Sequence, residues 1–208
     1  MVLQGISFEA KKGETLGIIG PNGSGKTTLF NAISGFVPLT SGTIELEGEH
    51  LENLPSFVRA RKGIGRVFQS GGVFGELTVL ENLLITGKDA NFEKLLQNLG
   101  LDKNKLASFL SGGEKRILEL VRAQIMEPKV LLLDEPTAGV APNMKQVLAD
   151  KINSLKTKDR VVLIIEHDVQ FISSLCDRIL VLHQGQIVMS GKPEEIRKDP
   201  YLQEIYFG

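Results

Sequence analysis

Disulfides, tryptophan and long apolar runs are what the 208-residue chain lacks. It has one cysteine, Cys176, no tryptophan and only two tyrosines. A single cysteine excludes an intramolecular disulfide framework and suits a reducing compartment. Uninterrupted apolar runs such as Val161 to Ile165 are far too short to span a bilayer. The opening MVLQGISFEAKKGE shows no long apolar leader of the secretory kind. An excess of charge is missing too: 24 Lys and Arg stand against 25 Asp and Glu, a net charge of −1. An affinity resting on a strongly basic surface is therefore a poor expectation, and no direct nucleic-acid partner is expected. The chain reads as cytosolic, and any membrane role needs a spanning partner.

Glycine, by contrast, is plentiful at 22 residues, many of them clustered at 20–25, 63–75 and 112–113. Between these clusters apolar runs alternate with helical patterns. Thr15–Ile19 reads as a buried strand and Lys26–Phe36 as a helix. Ser41–Glu47 alternates like a half-exposed strand, and Ile64–Phe68 is a further short one. From Leu77 to Leu106 the pattern turns helical, through LTVLENLLI and FEKLLQNLGL. The segment after Ser111 carries Ile117, Leu120, Val121 and Ile125 on one stripe, with Lys115, Glu119 and Arg122 off it. Val130–Leu133 and Val161–Ile165 are continuous apolar runs of the kind buried on both faces. A helix begins near Pro142, with Met144, Val147, Leu148, Ile152 and Leu155 on its apolar side. Ile179–Leu182 and Gln186–Met189 form an expected hairpin about Gln184-Gly185. Lys151, Lys156, Lys158, Asp159 and Arg160 read as a solvated helix end, and Cys176 as packed rather than reactive. Strands alternating with helices predict an α/β fold with a mainly parallel core sheet. Early and late antiparallel β additions and a small helical insert, about residues 70–128, complete one domain spanning 1–208.

Gly20-Pro21-Asn22-Gly23-Ser24-Gly25-Lys26-Thr27-Thr28 fits G-x-x-x-x-G-K-[ST] in full, after an apolar strand and before a helix, which is where a phosphate-binding loop must sit. Backbone N–H groups of such a turn surround phosphate oxygens, and the helix start adds its positive end. Lys26 can reach the β- and γ-phosphates, and the Thr27 hydroxyl can serve Mg²⁺. A chance glycine turn rarely satisfies both flanking elements. VLLLDE is an apolar strand ending in two carboxylates. Asp134 suits the Mg²⁺ shell, and Glu135 suits polarisation of an attacking water. The plain alternative, solvated acids at a strand end, loses ground beside a complete phosphate loop.

Leu110-Ser111-Gly112-Gly113-Glu114 reads first as a capping box, Ser111 with Glu114, opening a helix over 111–126. Two glycines in a first turn are poor helix formers, however. They leave bare N–H groups at a positive helix end, a second phosphate-seeking surface that one nucleotide does not explain within one subunit.

The order of Walker A (20–28), Gln69, LSGGE (110–114), Walker B (130–135) and His167 resembles the ATPase subunit of an ABC transporter over essentially the whole chain. The resemblance implies a P-loop NTPase that binds ATP and Mg²⁺ in a head-to-tail pair with a second ATPase subunit, identical or paralogous. ATP on one phosphate loop is then closed over by Ser111, Gly112 and Gly113 of the other subunit. Gln69 would touch Mg²⁺ and the attacking water and sense transmembrane permease subunits. His167 would contact the γ-phosphate. The family places such a subunit peripherally at the cytoplasmic face of the membrane. Val73, Phe74 and Leu77 lie in a glycine-rich loop. They read either as packing under the next helix or as a groove for the permease.

RVFQSGGVFGELTVLENLL, EPTAGVAP, IIEHDV and KPEEIRKDPYLQEIYFG look like the ATPases of branched-chain amino-acid importers. The lipopolysaccharide-export ATPase is similar over the same stretches. A soluble, non-transport ABC ATPase and a non-hydrolysing regulatory subunit are the other readings left open. There are departures from the family pattern. No adenine-stacking aromatic of an earlier strand precedes VLQGISF, from which either a truncated start or weaker base recognition is expected. The segment Ala138-Gly139-Val140-Ala141 lacks the usual Asp, and Glu114 stands where Gln is common.

Overall fold

A computed structural model describes residues 2–87, 92, 95, 96 and 100–207, the side chains of Tyr206 and Phe207 excepted. The strands are β1 (Thr15–Ile19), β2 (Glu45–Leu46), β3 (Glu49–His50), β4 (Ile64–Val67), β5 (Val130–Asp134), β6 (Val161–Ile165), β7 (Arg178–His183) and β8 (Gln186–Gly191). The helices are α1 (Lys26–Ser34), α2 (Ser56–Lys62), α3 (Val79–Leu84), α4 (Gly112–Met126), α5 (Lys145–Leu155), α6 (Val169–Leu175), α7 (Pro193–Lys198) and α8 (Pro200–Phe207). Short 3₁₀ turns at Ala107–Phe109 and Pro142–Met144 precede α4 and α5.

Among the described residues, six strands form one sheet in the order β4-β5-β6-β1-β7-β8. All neighbours are parallel except β7 and β8, the expected late hairpin. Every residue of β1, β5 and β6 is buried, which explains why these strands read as unbroken apolar runs. Alternate residues serve opposite faces. Leu131, Leu133, Val162 and Ile164 pack with α4, α5 and α6, while Val130, Leu132, Leu163 and Ile165 pack with Leu29, Phe30 and Ile33 of α1. Leu3, Ile6 and Phe8 of the opening segment lie half-buried against the second cluster.

Several elements differ from the sequence expectation. Helix α1 stops at Ser34, not Phe36, because Gly35 turns left-handed (φ 79°) and its N–H bonds back to Asn31 and Ala32. Of the strand expected over Ser41–Glu47 only Glu45–Leu46 pairs. It forms a two-residue ladder with β3, apart from the main sheet. Leu77–Leu106 holds α3, while half of FEKLLQNLGL, residues 93, 94 and 97–99, lies outside the described residues. Val147 is exposed, because α5 begins only at Lys145 and turns Leu148, Ala149, Ile152 and Leu155 inward. Arg160 is buried, not solvated: its guanidinium donates to the carbonyls of Pro128 at 2.9 Å and Leu155 at 2.7 Å. Cys176 is packed as expected, and burial pushes its thiol pKa up.

Helix α2 went unread in the sequence, yet it anchors the end of α1. Buried Arg59 donates to Ala32 and Ile33 at the α1 terminus and to Glu52 and Leu54. These bonds satisfy carbonyls that a helix end leaves without intrahelical partners.

Between α5 and α6, Lys145 Nζ lies 2.7 Å from Asp168 Oδ2, and the other Asp168 oxygen caps the N–H groups of Gln170 and Phe171. The Lys145 bond, then the Phe171 N–H, hold the Asp168 carboxyl below its ordinary value of 3.8. A depressed carboxylate stabilises the fold above its unfolded pKa and loses that contribution as pH falls through its folded value. Lys145→Met should lower stability by about 0.2–1 kcal/mol at neutral pH, the scale of a half-exposed pair. The difference in urea midpoint from the parent should shrink as pH is taken below 3.8.

Candidate functional site

The carboxyl ends of β1, β4, β5 and β6 open on one edge of the sheet, and each is followed within two residues by one singled out in the sequence: Gly20, Gln69, Glu135 and His167. From β1 the chain enters the loop 20–28. Gly20 permits no side chain there, since a Cβ would come within 2.0 Å of the Leu182 carbonyl. Gly25 is left-handed and starts α1. The Lys26 ammonium is buried and donates to the carbonyls of Gly20 at 2.7 Å and Pro21 at 3.0 Å. Desolvation lowers its pKa, while the charges of Glu135 and Asp134 act to raise it. Pro21 and Thr28 are half-buried, whereas Asn22, Gly23 and Thr27 are exposed. Ser24 Oγ is buried with no hydrogen-bond partner among the described residues.

At the end of β5, Asp134 is 2 % exposed and pairs through Oδ2 with Arg66 at 2.7 Å. Its other oxygen, Oδ1, is buried and has no hydrogen-bond partner among the described residues. Removing one side of such a buried pair costs about 3–5 kcal/mol. Glu135 adopts a left-handed conformation (φ 47°), rare for a residue with a side chain, with its N–H bonded to the Ile165 carbonyl at 2.9 Å. Its carboxylate receives Gln69 Nε2 at 2.5 Å and lies 2.8 Å from His167 Nε2. Gln69, Glu135 and His167 thus meet around one carboxylate. Glu166, 2 % exposed, accepts from the Thr137 N–H and hydroxyl and from the His167 N–H. It thereby fixes the two loops that carry Glu135 and His167.

Ser111, Gly112 and Gly113 of the LSGGE segment face another neighbourhood. Ser111 Oγ accepts from the Glu114 N–H at 3.3 Å and Glu114 returns to the Ser111 N–H at 2.7 Å, so the capping box is formed. The Ser111 N–H, then its hydroxyl, lower the Glu114 pKa. A Cβ on Gly112 would lie 2.7 Å from the Gly139 carbonyl, so close packing on the segment after β5 requires glycine. Gly113 packs on Met144.

A polar strap went unread in the sequence. Arg116 of α4 donates to the carbonyls of Phe68 at 2.8 Å and Gln69 at 3.0 Å and pairs with Glu119 at 2.7 Å. Glu119 accepts from the Gly72 N–H, so it is buried by pairing although it lies off the apolar stripe. Arg122 donates to the Gly72 carbonyl and lies over the Phe74 ring at 5.1 Å. Buried Asn82 of α3 holds both the N–H and the carbonyl of Phe74. The i,i+3 spacing of Arg116 and Glu119 was the available signal. Phe74 itself is exposed, while Val73 and Leu77 are half-buried.

Comparison with known proteins fits this geometry. Residues 3–138 match the model of the ABC transporter family, and the chain belongs to that family. It is an ABC-type ATPase, the ATP-binding subunit of a transporter. The high-affinity branched-chain amino acid transport ATP-binding protein LivG of Salmonella typhimurium is 37 % identical, covering 100 % of this chain and 92 % of the relative. The lipopolysaccharide export system ATP-binding protein LptB of Escherichia coli is 33 % identical, covering 100 % and 91 %. Among solved structures, the ADP conformation of MJ1267, an ATP-binding cassette of an ABC transporter, superposes with a TM-score of 0.88 at 34 % identity, covering 100 % of this chain and 92 % of that one. A dimeric post-hydrolysis state of the cassette MJ0796, bound to ADP and Pi, superposes with a TM-score of 0.79 at 26 % identity, over 92 % of this chain and 90 % of that one. No helix among the described residues is long and apolar enough to cross a membrane.

If the strap holds the Gln69 loop, Arg116→Met should quicken amide exchange across residues 69–74 by about tenfold or more, the loss expected for a buried charge-assisted bond. The quickening across residues 69–74 should exceed any change in the buried strands β5 and β6, whose exchange reports global stability.

Proposed function

We propose that this chain is the ATP-hydrolysing motor subunit of a branched-chain amino-acid importer, working as half of a two-subunit sandwich. The observation that carries the hydrolytic reading is the Glu135 carboxylate held between Gln69 and His167 at the sheet edge that also bears the phosphate loop. Lys26 and the N–H groups of residues 20–28 hold the phosphates. Glu135 takes up the proton of the attacking water, Gln69 orients that water, and His167 lies against the γ-phosphate. Ser111, Gly112 and Gly113 serve the nucleotide of the opposite subunit, identical or paralogous. The helical insert, about 70–128, and the exposed Phe74 meet the transmembrane permease, which keeps the subunit peripheral at the cytoplasmic face.

Mg²⁺ suits this site. It takes oxygen ligands, needs few from the protein, and completes its shell with water and phosphate. Asp134 keeps one buried carboxylate oxygen without a partner among the described residues, which is the donor such an ion calls for. Asp134, the Thr27 hydroxyl and Gln69 would hold it, and when bound it supplies charge neutralisation at the phosphates. Amino acids as cargo rest on the 37 % identity to LivG, with the lipopolysaccharide-export relative at 33 % as the competitor.

Two measurements test the reading. Glu135→Gln should bind ATP as the parent does, turn over about 100-fold more slowly or worse, and accumulate as an ATP-bound dimer. Unchanged hydrolysis removes Glu135 from its role. Co-purification with membrane proteins encoded alongside, followed by ATPase assay in proteoliposomes, should show hydrolysis stimulated by the permease and by leucine, isoleucine or valine. Stimulation by lipopolysaccharide instead moves the assignment to export, and vigorous hydrolysis without any membrane partner moves it to a soluble ABC ATPase.

A further inference from the structure

Arg66 lies on β4, three residues before Gln69, with its side chain 5 % exposed. One terminal nitrogen donates to Asp134 Oδ2 at 2.7 Å. The other donates to Asn31 Oδ1 at 2.7 Å and Ser34 Oγ at 3.1 Å, both on α1. The guanidinium lies over the Phe68 ring at 4.6 Å, with Phe30 at 5.7 Å and Phe36 at 6.0 Å. Phe36 meets Phe68 edge-on at 5.6 Å. Side chains of α1, of the turn after it, of the end of β4 and of β5 therefore converge on one planar cation. A lysine supplies a point charge and cannot make this fork and stack together. The result at Asp134 is asymmetric: Oδ2 is taken, while Oδ1 is buried and unpartnered among the described residues.

We propose that Arg66 is a positioning residue for the metal-binding aspartate, pinning Oδ2 so that Oδ1 alone is held free for the divalent cation. The inference rests on the reading of Asp134 as an Mg²⁺ ligand. A group that orients a ligand from behind typically sets metal affinity within about 10–100-fold. The sign of the effect separates positioning from simple charge. A guanidinium acting only as a nearby positive charge opposes a divalent cation, so its removal tightens metal binding. A guanidinium that fixes the carboxylate rotamer strengthens binding, so its removal weakens it.

The test is Mn²⁺ affinity, read by electron paramagnetic resonance on the full chain with a non-hydrolysable ATP analogue, beside analogue binding in EDTA. Arg66→Met should weaken Mn²⁺ binding by about tenfold or more, with metal-free analogue binding unchanged. Arg66→Lys should recover part of the loss. Asn31→Ala and Phe68→Leu loosen the guanidinium without removing its charge and should weaken Mn²⁺ binding in the same direction. These two variants carry the comparison if Arg66→Met does not fold. Unchanged or tighter Mn²⁺ binding in folded Arg66→Met, or in both loosening variants, overturns the proposal. Asp134→Asn separates the layers. If it weakens Mn²⁺ binding and the Arg66 variants do not, the arginine inference alone fails; if it has no effect, the metal reading of Asp134 fails and takes the inference with it.

Discussion

The register of the parallel sheet is the constraint on which the site depends. Strands β1, β5 and β6 are buried on both faces, so each side-chain set must point to its own layer, and a slip of one residue would exchange them. The pairing that meets this demand sets Val67 beside Leu133, Ile18 beside Ile165 and Asp134 beside Ile165. With those depths fixed, the chain leaves β1 at Gly20, β4 shortly before Gln69, β5 at Glu135 and β6 at Glu166-His167, all at one edge. Ligand sites in open α/β sheets lie beyond the carboxyl ends of the strands for this reason. The left-handed Glu135 is a consequence: its N–H stays bonded to the Ile165 carbonyl while the chain turns away from β6.

Burial of charge at that edge is the second theme. Asp134, Glu166, Arg66, Arg116 and Glu119 are all removed from water, and each carries a partner able to repay part of its desolvation. Such groups are costly as stabilisers, but they fix geometry. Glu166 joins the loop after β5 to the loop after β6 through three accepted bonds. Arg66 joins β4, β5 and α1.

The difference between what the sequence disclosed and what it hid follows from contiguity. Loop 20–28, the acids at 134–135 and the capping box at 111–114 are short local patterns whose chemistry needs only neighbours. The buried strands were legible because apolar residues filled both faces. Arg66 with Asp134 and Arg116 with Gln69 join positions 68 and 47 residues apart, and no local pattern encodes such pairs. Arg160 deceived for a related reason: a charge beside lysines reads as solvated until the carbonyls of Pro128 and Leu155 are seen to receive it. Helix α2 escaped because its stripe is polar, and Arg59, its buried residue, anchors by hydrogen bonds rather than by apolar packing.

The segment from Phe68 to Phe74 is held from two sides, and that limits how it can move. Its Gln69 side chain reaches Glu135 on the sheet, while the Gln69 and Phe68 carbonyls are held by Arg116 on the helix that begins at the signature glycines. A rigid shift of α4 against the sheet must therefore either carry Gln69 away from Glu135 or break the Arg116 bonds. Hydrogen bonds to charged groups are worth about 1.5–3 kcal/mol each, and Gln69 makes one of them, to the Glu135 carboxylate. Two bonds from Arg116, with Glu119 and Arg122 gripping Gly72 beside them, outweigh that single contact. The loop should follow the helix and release the carboxylate. The available coupling is then bounded by the Gln69–Glu135 bond, a few kcal/mol at most, which is the scale on which linked sites ordinarily communicate.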